Sequence, residues 1–384
     1  MEELDVIVVG GGIGGLTAAA ALLQRGHRVR VFDQVRELRP VGAGISLWSN
    51  GVKVLDALGL GPDIAAVGGA MERLCYRDRG GQVLCDFSLA PLVERVGEHP
   101  YPVRRSDLQA LLLRAVGDRL TTGARCTAVE DHPDHVVVRT EAGEDLVGDL
   151  VVIADGTHSA LRAAVVGAPV ERTYVGYHNL NGIVPDGLAL GPPTSWTVHV
   201  GDGQRASTMP VRDGQYFFFD VLLDDPAPSG RDPRDLLREH FAGWGPTVHA
   251  LIDGLDPAGV AEVAIHTHAP VERFARGRAV VIGDAAHTSA PDLGQGGCLA
   301  MEDAWVLATT LTTNNLGVVD ALERYSGQRV PRAASIVTRA LTRARLTHSQ
   351  DPERTDAWYA ELASEDGSGI IDGISTSILG GPLP

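Results

Sequence analysis

The stretch Asp5-Val-Ile-Val-Val-Gly-Gly-Gly-Ile-Gly-Gly-Leu16 constrains this 384-residue chain more than any other. Leu4 to Val9 is apolar without alternation, the pattern of a parallel strand buried on both faces. Gly10, Gly12 and Gly15 then fall on G-x-G-x-x-G, and Leu16 to Gln24 follows with helix-forming alanine and leucine. Gly26 ends that helix, and a second strand, His27 to Phe32, stops at Asp33, 23 residues beyond Gly10. Strand, glycine turn, helix, strand and acid in this order predict a dinucleotide-binding βαβ unit. Glycines let the backbone approach a pyrophosphate, whose charge sits at the helix N-terminus, and Asp33 is placed to accept hydrogen bonds from an adenosine ribose. This unit alone leaves FAD and NAD both open.

Two further buried-strand patterns, Asp149 to Gly156 and Arg278 to Asp284, each end in an acid beside a glycine. Open α/β sheets bind ligands at that end of their strands. The second pattern runs through Ala285–Gly297 into an apolar helix from Cys298 to about Leu311. From Thr194 to Leu223 the texture becomes that of consecutive antiparallel strands, with turn signals at Gly201-Asp-Gly203 and Asp213-Gly214, and a similar patch covers about 71 to 90. The expected class is therefore α/β. A Rossmann-like nucleotide domain in three pieces (1–70, 100–171 and 269–330) is interleaved with a smaller antiparallel β-sheet substrate domain (71–99 and 172–268). A helical segment, 331–384, closes the chain.

Composition excludes several classes. A net charge of -16 argues against a nucleic-acid surface. No apolar run approaches a membrane span, and Met-Glu-Glu-Leu-Asp lacks the basic start of a signal peptide, so a cytoplasmic location is expected. Cys75, Cys85, Cys126 and Cys298 have no metal spacing, and neither do the histidines, so free thiols and no metal are expected. Lys53 is the only lysine beside many arginines, a compositional bias that weakens the signal of any single arginine.

Arg205 still stands out. Pairing across an Asp213-Gly214 turn would set Val211 opposite Tyr216 and Met209 opposite Phe218. Alternation then places Arg205, Met209, Tyr216 and Phe218 on one sheet face and Phe217 on the other. A cation with two aromatics suits a flat, acidic heterocycle. Asp292 is a candidate to hold Arg205 or approach the substrate, with a loop-capping role as the alternative. His287 is a candidate base, more plausible as a structural hydrogen-bonder. Gly294-Gln-Gly-Gly297 opens a helix whose free N–H groups can face an anionic ligand.

With GxGxxG, Asp155-Gly156, and Gly283-Asp284 followed by Pro291 and Gly294–Gly297, the chain resembles the single-component FAD-dependent aromatic hydroxylases of the para-hydroxybenzoate hydroxylase superfamily. FSLAPLVER (Phe87–Arg95), YFFFD (Tyr216–Asp220), PDLGQGGC (Pro291–Cys298) and the ending ILGGPLP (Ile378–Pro384) are similar to its subgroup of FAD-dependent urate hydroxylases. The resemblance implies resident FAD, transient NADH or NADPH, and O2. The substrate would be a small purine or other aromatic, hydroxylated by a flavin C4a-hydroperoxide, with urate giving 5-hydroxyisourate. Neither nucleic acid, membrane nor an obligate protein partner is implied.

It places flavin contacts on Gly14, Asp33, Gln34, Ser46, Arg105, Cys126, Asp284, Gly294, Gln295, Gly296, Gly297 and Cys298; the glycine turn adds Gly10, Gly12 and Gly15, the acid-glycine pair adds Asp155, and Gln109 lies beside Arg105. It places substrate contacts on Asn179, Arg205, Tyr216, Phe217 and Phe218, and the groups acting on substrate are Arg205, Tyr216 and Asp292. The same chemistry on another heterocycle, a non-catalytic flavin-binding protein and an NAD-dependent dehydrogenase are the competing readings.

Overall fold

The computed structural model describes residues 3–37, 42–312, 316–348 and 350–384. Strand Asp5–Val9 lies inside a six-stranded sheet, between Leu150–Ile153 and Arg28–Asp33, and is parallel to both. Ala279–Val281 continues the sheet beyond Leu150–Ile153, so all three buried-strand patterns share it. Val6, Ile7 and Val8 have no exposed surface, which is why their side chains do not alternate in polarity.

The first helix, Ile13–Gln24, starts three residues before Leu16, because Leu16 N–H already donates to the Gly12 carbonyl at 2.9 Å. Two glycines make this crossing possible. Gly10 has φ +112° and packs on the Ala154 carbonyl, while a Cβ on Gly15 would overlap the Gly10 carbonyl oxygen. A Cβ on Gly12 would meet nothing within 4 Å, so the turn is open on its outer side.

The second sheet has seven strands, in the order Ala261–Thr267, Thr173–Val184, Gly214–Leu222, Gln204–Val211, Ser195–Gly201, Arg73–Asp78 and Val83–Ser88. It is not purely antiparallel: Arg73–Asp78, arriving from an earlier part of the chain, pairs parallel to Ser195–Gly201. The Gly201-Gln204 hairpin turns through Asp202 and Gly203, both at positive φ, as a two-residue loop prefers. The next hairpin corrects the sequence expectation. Its loop is Arg212-Asp213, with Asp213 at φ +57°, and Met209 pairs with Tyr216 rather than with Phe218. The register moves by two residues, an even number, so the predicted face survives intact.

Gln204–Val211 is buried along its whole length. One face looks toward the first sheet. The other carries Phe217 and Phe219 from the neighbouring strand into a core under helices Pro233–His240 and Pro246–Gly254. Helix Gly296–Thr312 packs on the first helix closely enough that Ala300 lies against Gly14. The 30-residue helix Val318–Thr347 lies behind it and spans residue 331 without a break.

Between these helices, Asp303 accepts from Gly283 N–H at 3.0 Å, from His287 Nε2 at 2.6 Å and from Arg329 Nε at 2.7 Å. His287 is thus committed to bracing the Gly283-Asp284 turn. All four cysteines are free and buried. Among the described residues no helix is long and apolar enough to cross a membrane, and no acid, histidine and cysteine group could hold a metal.

Gly15→Ala must push helix and strand apart, an overpacking change of roughly 1–3 kcal/mol. A lower melting temperature together with a lower flavin content after purification is the expected result. Wild-type values for both would contradict this account of the crossing.

Candidate active site

Two surfaces face one another across a crevice at the carboxyl ends of the parallel strands. The first is a backbone cradle. Gly12 leads the first helix, and beside it Asp33 accepts from Gly11 N–H at 2.6 Å and Val35 N–H at 2.9 Å. These bonds fix the carboxylate at the strand end. Gln34 next to it is exposed. Asp155 uses one oxygen to accept from Ala160 and Leu161 N–H, while its buried Oδ1 has no partner among the described residues. Asp284 opens a short helix with its side chain exposed to the crevice. Arg105 begins helix Arg105–Val116, with Gln109 one turn on, and Ser46 sits on strand Gly44–Leu47 beside Gly294.

The cradle is completed by the N-terminus of Gly296–Thr312. The first bond of the helix runs from Leu299 N–H to the Gln295 carbonyl, so the N–H groups of Gly296, Gly297 and Cys298 precede it. Here the side chains correct the sequence reading. Gln295 is buried and accepts from Asn50 Nδ2 at 2.9 Å. Cys298 points into the core against Trp48, and burial pushes its thiol up to about 12. Cys126 is likewise buried, and burial with the Asp155 and Asp33 carboxylates pushes it up to about 11. Only the backbones of Gln295 and Cys298 are available to a ligand in the crevice, and both thiols stay neutral.

The opposing surface is the sheet face predicted from alternation. Asn179, Asp220 and Arg205 stand in register on three adjacent strands. Arg205 Nε donates to Asp220 Oδ2 at 2.6 Å, Asn179 Nδ2 donates to Asp220 Oδ1 at 2.7 Å, and Arg205 Nη2 reaches Asp292 Oδ1 at 3.4 Å. The guanidinium lies 5.0 Å from the Phe218 ring centroid, and Tyr216 lies 5.9 Å from Phe218. Tyr216 rests on the Gly44 backbone, where a Cβ would collide with its ring. Burial opposes the charge on Arg205, but Asp220 and Asp292 more than offset it and raise its pKa. Burial, then Asp220, raises the Tyr216 phenol, so it stays a neutral donor.

Phe217 does not join this face. Its side chain packs against Phe219 on the far side, as alternation requires, so any ligand contact would come from its main chain. Four residues here escaped the sequence reading. Asp220 shares the parity of Tyr216 and Phe218 and could have been found by extending the same alternation. Asn181 accepts from Ala43 N–H at 3.0 Å and donates to Asn179 at 2.9 Å, joining the two surfaces. Tyr177 and His348 hold Asp292, at 2.6 and 3.2 Å, and nothing in their local sequence announces it.

The crevice fits FAD on its own geometry. The open glycine turn suits a pyrophosphate, the acid beside it suits a ribose, the unpartnered Asp155 oxygen and exposed Asp284 suit hydroxyls, and the second helix N-terminus suits an electron-rich ring edge.

Comparison with known proteins agrees. The family model for the FAD binding domain matches residues 3–340. The chain is 46% identical to the FAD-dependent urate hydroxylase of Mycolicibacterium vanbaalenii, over 99% of this chain and 98% of the relative. It is also 46% identical to that of Klebsiella pneumoniae, over 99% and 100%. The crystal structure of Klebsiella pneumoniae HpxO complexed with FAD and uric acid superposes with a TM-score of 0.95 at 44% identity, over 99% of this chain and 98% of that one. The match removes the reading as an NAD-dependent dehydrogenase, and the chain belongs to the FAD-binding-domain flavoprotein family that includes the FAD-dependent urate hydroxylases.

Proposed function

We propose that this chain is a flavin monooxygenase that hydroxylates urate to 5-hydroxyisourate, consuming NAD(P)H and O2 and releasing NAD(P)+ and water. The observation that carries this reading is Arg205: a buried guanidinium, held by two carboxylates, on an aromatic sheet face opposite the FAD cradle. A flat heterocyclic anion is the ligand such a face suits, and the full-length likeness to urate hydroxylases names it. Use of NAD(P)H, a co-substrate of the cell interior, supports a cytoplasmic location.

FAD, when bound, accepts electrons from NAD(P)H and activates O2 for transfer of an electrophilic hydroxyl group. The chain's own residues bind, orient and exclude water. Gly12, Gly14 and the helix N-terminus behind them hold the pyrophosphate, Asp33 the ribose, and Asp284 the sugar-alcohol chain. The N–H groups at Gly296–Cys298 would face the flavin ring edge and favour negative charge there. Arg205 binds anionic urate with Asn179 as a second polar contact, and Tyr216 and Phe218 stack on its plane. Asp292 and Asp220 keep Arg205 from turning. Orientation matters because a misplaced ring fails to intercept the oxidant, and reducing equivalents then end as hydrogen peroxide.

Urate should stimulate oxygen-dependent NADH oxidation by the purified yellow protein, with a hydroxylated product identified by mass. Arg205→Gln keeps a donor but loses the charge and the fork. It should retain FAD yet form at least about tenfold less product per NADH consumed. A wild-type ratio with unchanged urate affinity would contradict the role given to Arg205. Asp284→Ala should weaken FAD binding by on the order of 1.5–3 kcal/mol, the worth of one hydrogen bond to a charged group. Unchanged FAD affinity would show that Asp284 does not hold the cofactor.

A further inference from the structure

The residue holding Asp292 from behind comes from a part of the chain far from both sheets. His348 follows the last turn of helix Val318–Thr347 and lies beyond residues 3–340, the stretch matched by the FAD-binding-domain model. It is 3% exposed. Its ring stacks on Tyr177 with centroids 3.8 Å apart, Nε2 faces Asp292 Oδ1 at 3.2 Å, and Nδ1 faces the Gly203 carbonyl at 3.1 Å. Tyr177 donates to the other Asp292 oxygen at 2.6 Å. The groups around the imidazole are thus Asp292 from the loop before helix Gly296–Thr312, Asp220 at 3.9 Å from the sheet, Tyr177 from the next strand, and Gly203 at the hairpin tip. Tyr359, from helix Pro352–Leu362, accepts the Gly203 N–H at 3.1 Å and fixes that tip.

The surroundings of the ring call for a charged imidazole in two ways. First, the two ring nitrogens face oxygens that can only accept. A carbonyl has no proton to give, and the Asp292 carboxyl, which accepts from the Tyr177 hydroxyl and lies beside the Arg205 guanidinium, is an acceptor as well. Only an imidazolium, with a proton on each nitrogen, satisfies both acceptors. Secondly, Arg205 with Asp220 and Asp292 carries one positive and two negative charges, a net −1 in a buried cluster that must receive an anion. A cation at His348 brings the cluster to neutrality before the anion arrives.

We infer that His348 is a positioning residue for the hydroxylation: its imidazolium holds Asp292, and through Asp292 keeps the Arg205 guanidinium aimed at the substrate. The inference rests on the urate reading and deepens it by making the end of a C-terminal helix part of the substrate site. His348 touches neither cofactor nor substrate and transfers no proton in this role.

Three substitutions separate this role from plain packing. His348→Phe keeps a ring against Tyr177 and loses both donors. His348→Gln can keep a donor at the Nε2 position, toward Asp292, whereas His348→Asn can keep one only at the Nδ1 position, toward Gly203. The measurements are product per NADH consumed, the urate dissociation constant from equilibrium titration of the oxidised holoenzyme, and melting temperature with bound FAD as the check on folding.

His348→Phe and His348→Asn should lower the product ratio and weaken urate binding by about tenfold, while His348→Gln, which keeps the donor toward Asp292 but not the charge, should lose only about threefold on both. In an Asp292→Asn background, His348→Phe should cause no further loss, because the two residues act as one unit. Equal losses for the Gln and Asn variants, a wild-type ratio and affinity for the Phe variant, or additive losses in the double variant would each overturn the inference. Wild-type protein that forms no hydroxylated urate would instead overturn the urate reading, and that control is run first.

Discussion

A guanidinium buried between two carboxylates ties this molecule's parts together. Arg205 and Asp220 come from neighbouring strands of the second sheet, and Asp292 comes from the loop that leads into the cradle helix Gly296–Thr312. Taking three charges from water costs several kcal/mol per ion, and removing one partner from such a cluster costs about 3–5 kcal/mol, because the others are left uncompensated. The arrangement is therefore poor value as a stability device. What it provides is a cation that cannot turn away, at a fixed distance from the surface that fits the flavin.

The cluster extends in both directions as a hydrogen-bonded chain. From Asp220 it passes through Asn179 and Asn181 to the Ala43 backbone, just before strand Gly44–Leu47. From Asp292, which also accepts from Tyr177, it passes through His348 to the hairpin tip at Gly203. A separate buried network around Asp303 braces the Gly283-Asp284 turn on the cofactor side. Both sides of the crevice are held by buried hydrogen-bonded networks, which in a low-dielectric interior favour one geometry over near alternatives.

Four strands of the first sheet were legible in the sequence, three of them because they are buried on both faces, whereas the short, partly exposed edge strands Leu120–Thr122 and Ala275–Arg276 were not. The helix after the glycine turn began earlier than its apolar pattern, since Gly12 caps it through backbone alone. The sheet face that carries Arg205 was legible in parity and not in register. Placing the turn at Asp213-Gly214 rather than Arg212-Asp213 slipped the pairing by two residues, and a period of two forgives that error. Side-chain direction at helix starts was not legible: Gln295 and Cys298 sit in a motif that suggests ligand contact, yet both turn inward to Asn50 and Trp48. Nor was His348. A histidine at the end of a long helix has no local pattern to mark it, and its role depends on contacts 145 residues away in sequence.

The account's central claim is that the substrate lies between the Arg205 face and the turn at Gly294–Gly297. A crystal structure of the oxidised holoenzyme soaked with urate tests it most directly. The account predicts urate stacked on the Tyr216–Phe218 face, with Arg205 donating to it, Asp292 and Asp220 still holding the guanidinium, and the purine ring edge toward the flavin. Urate bound elsewhere in a fully flavinylated crystal, or bound here with Arg205 making no contact to it, would contradict the account.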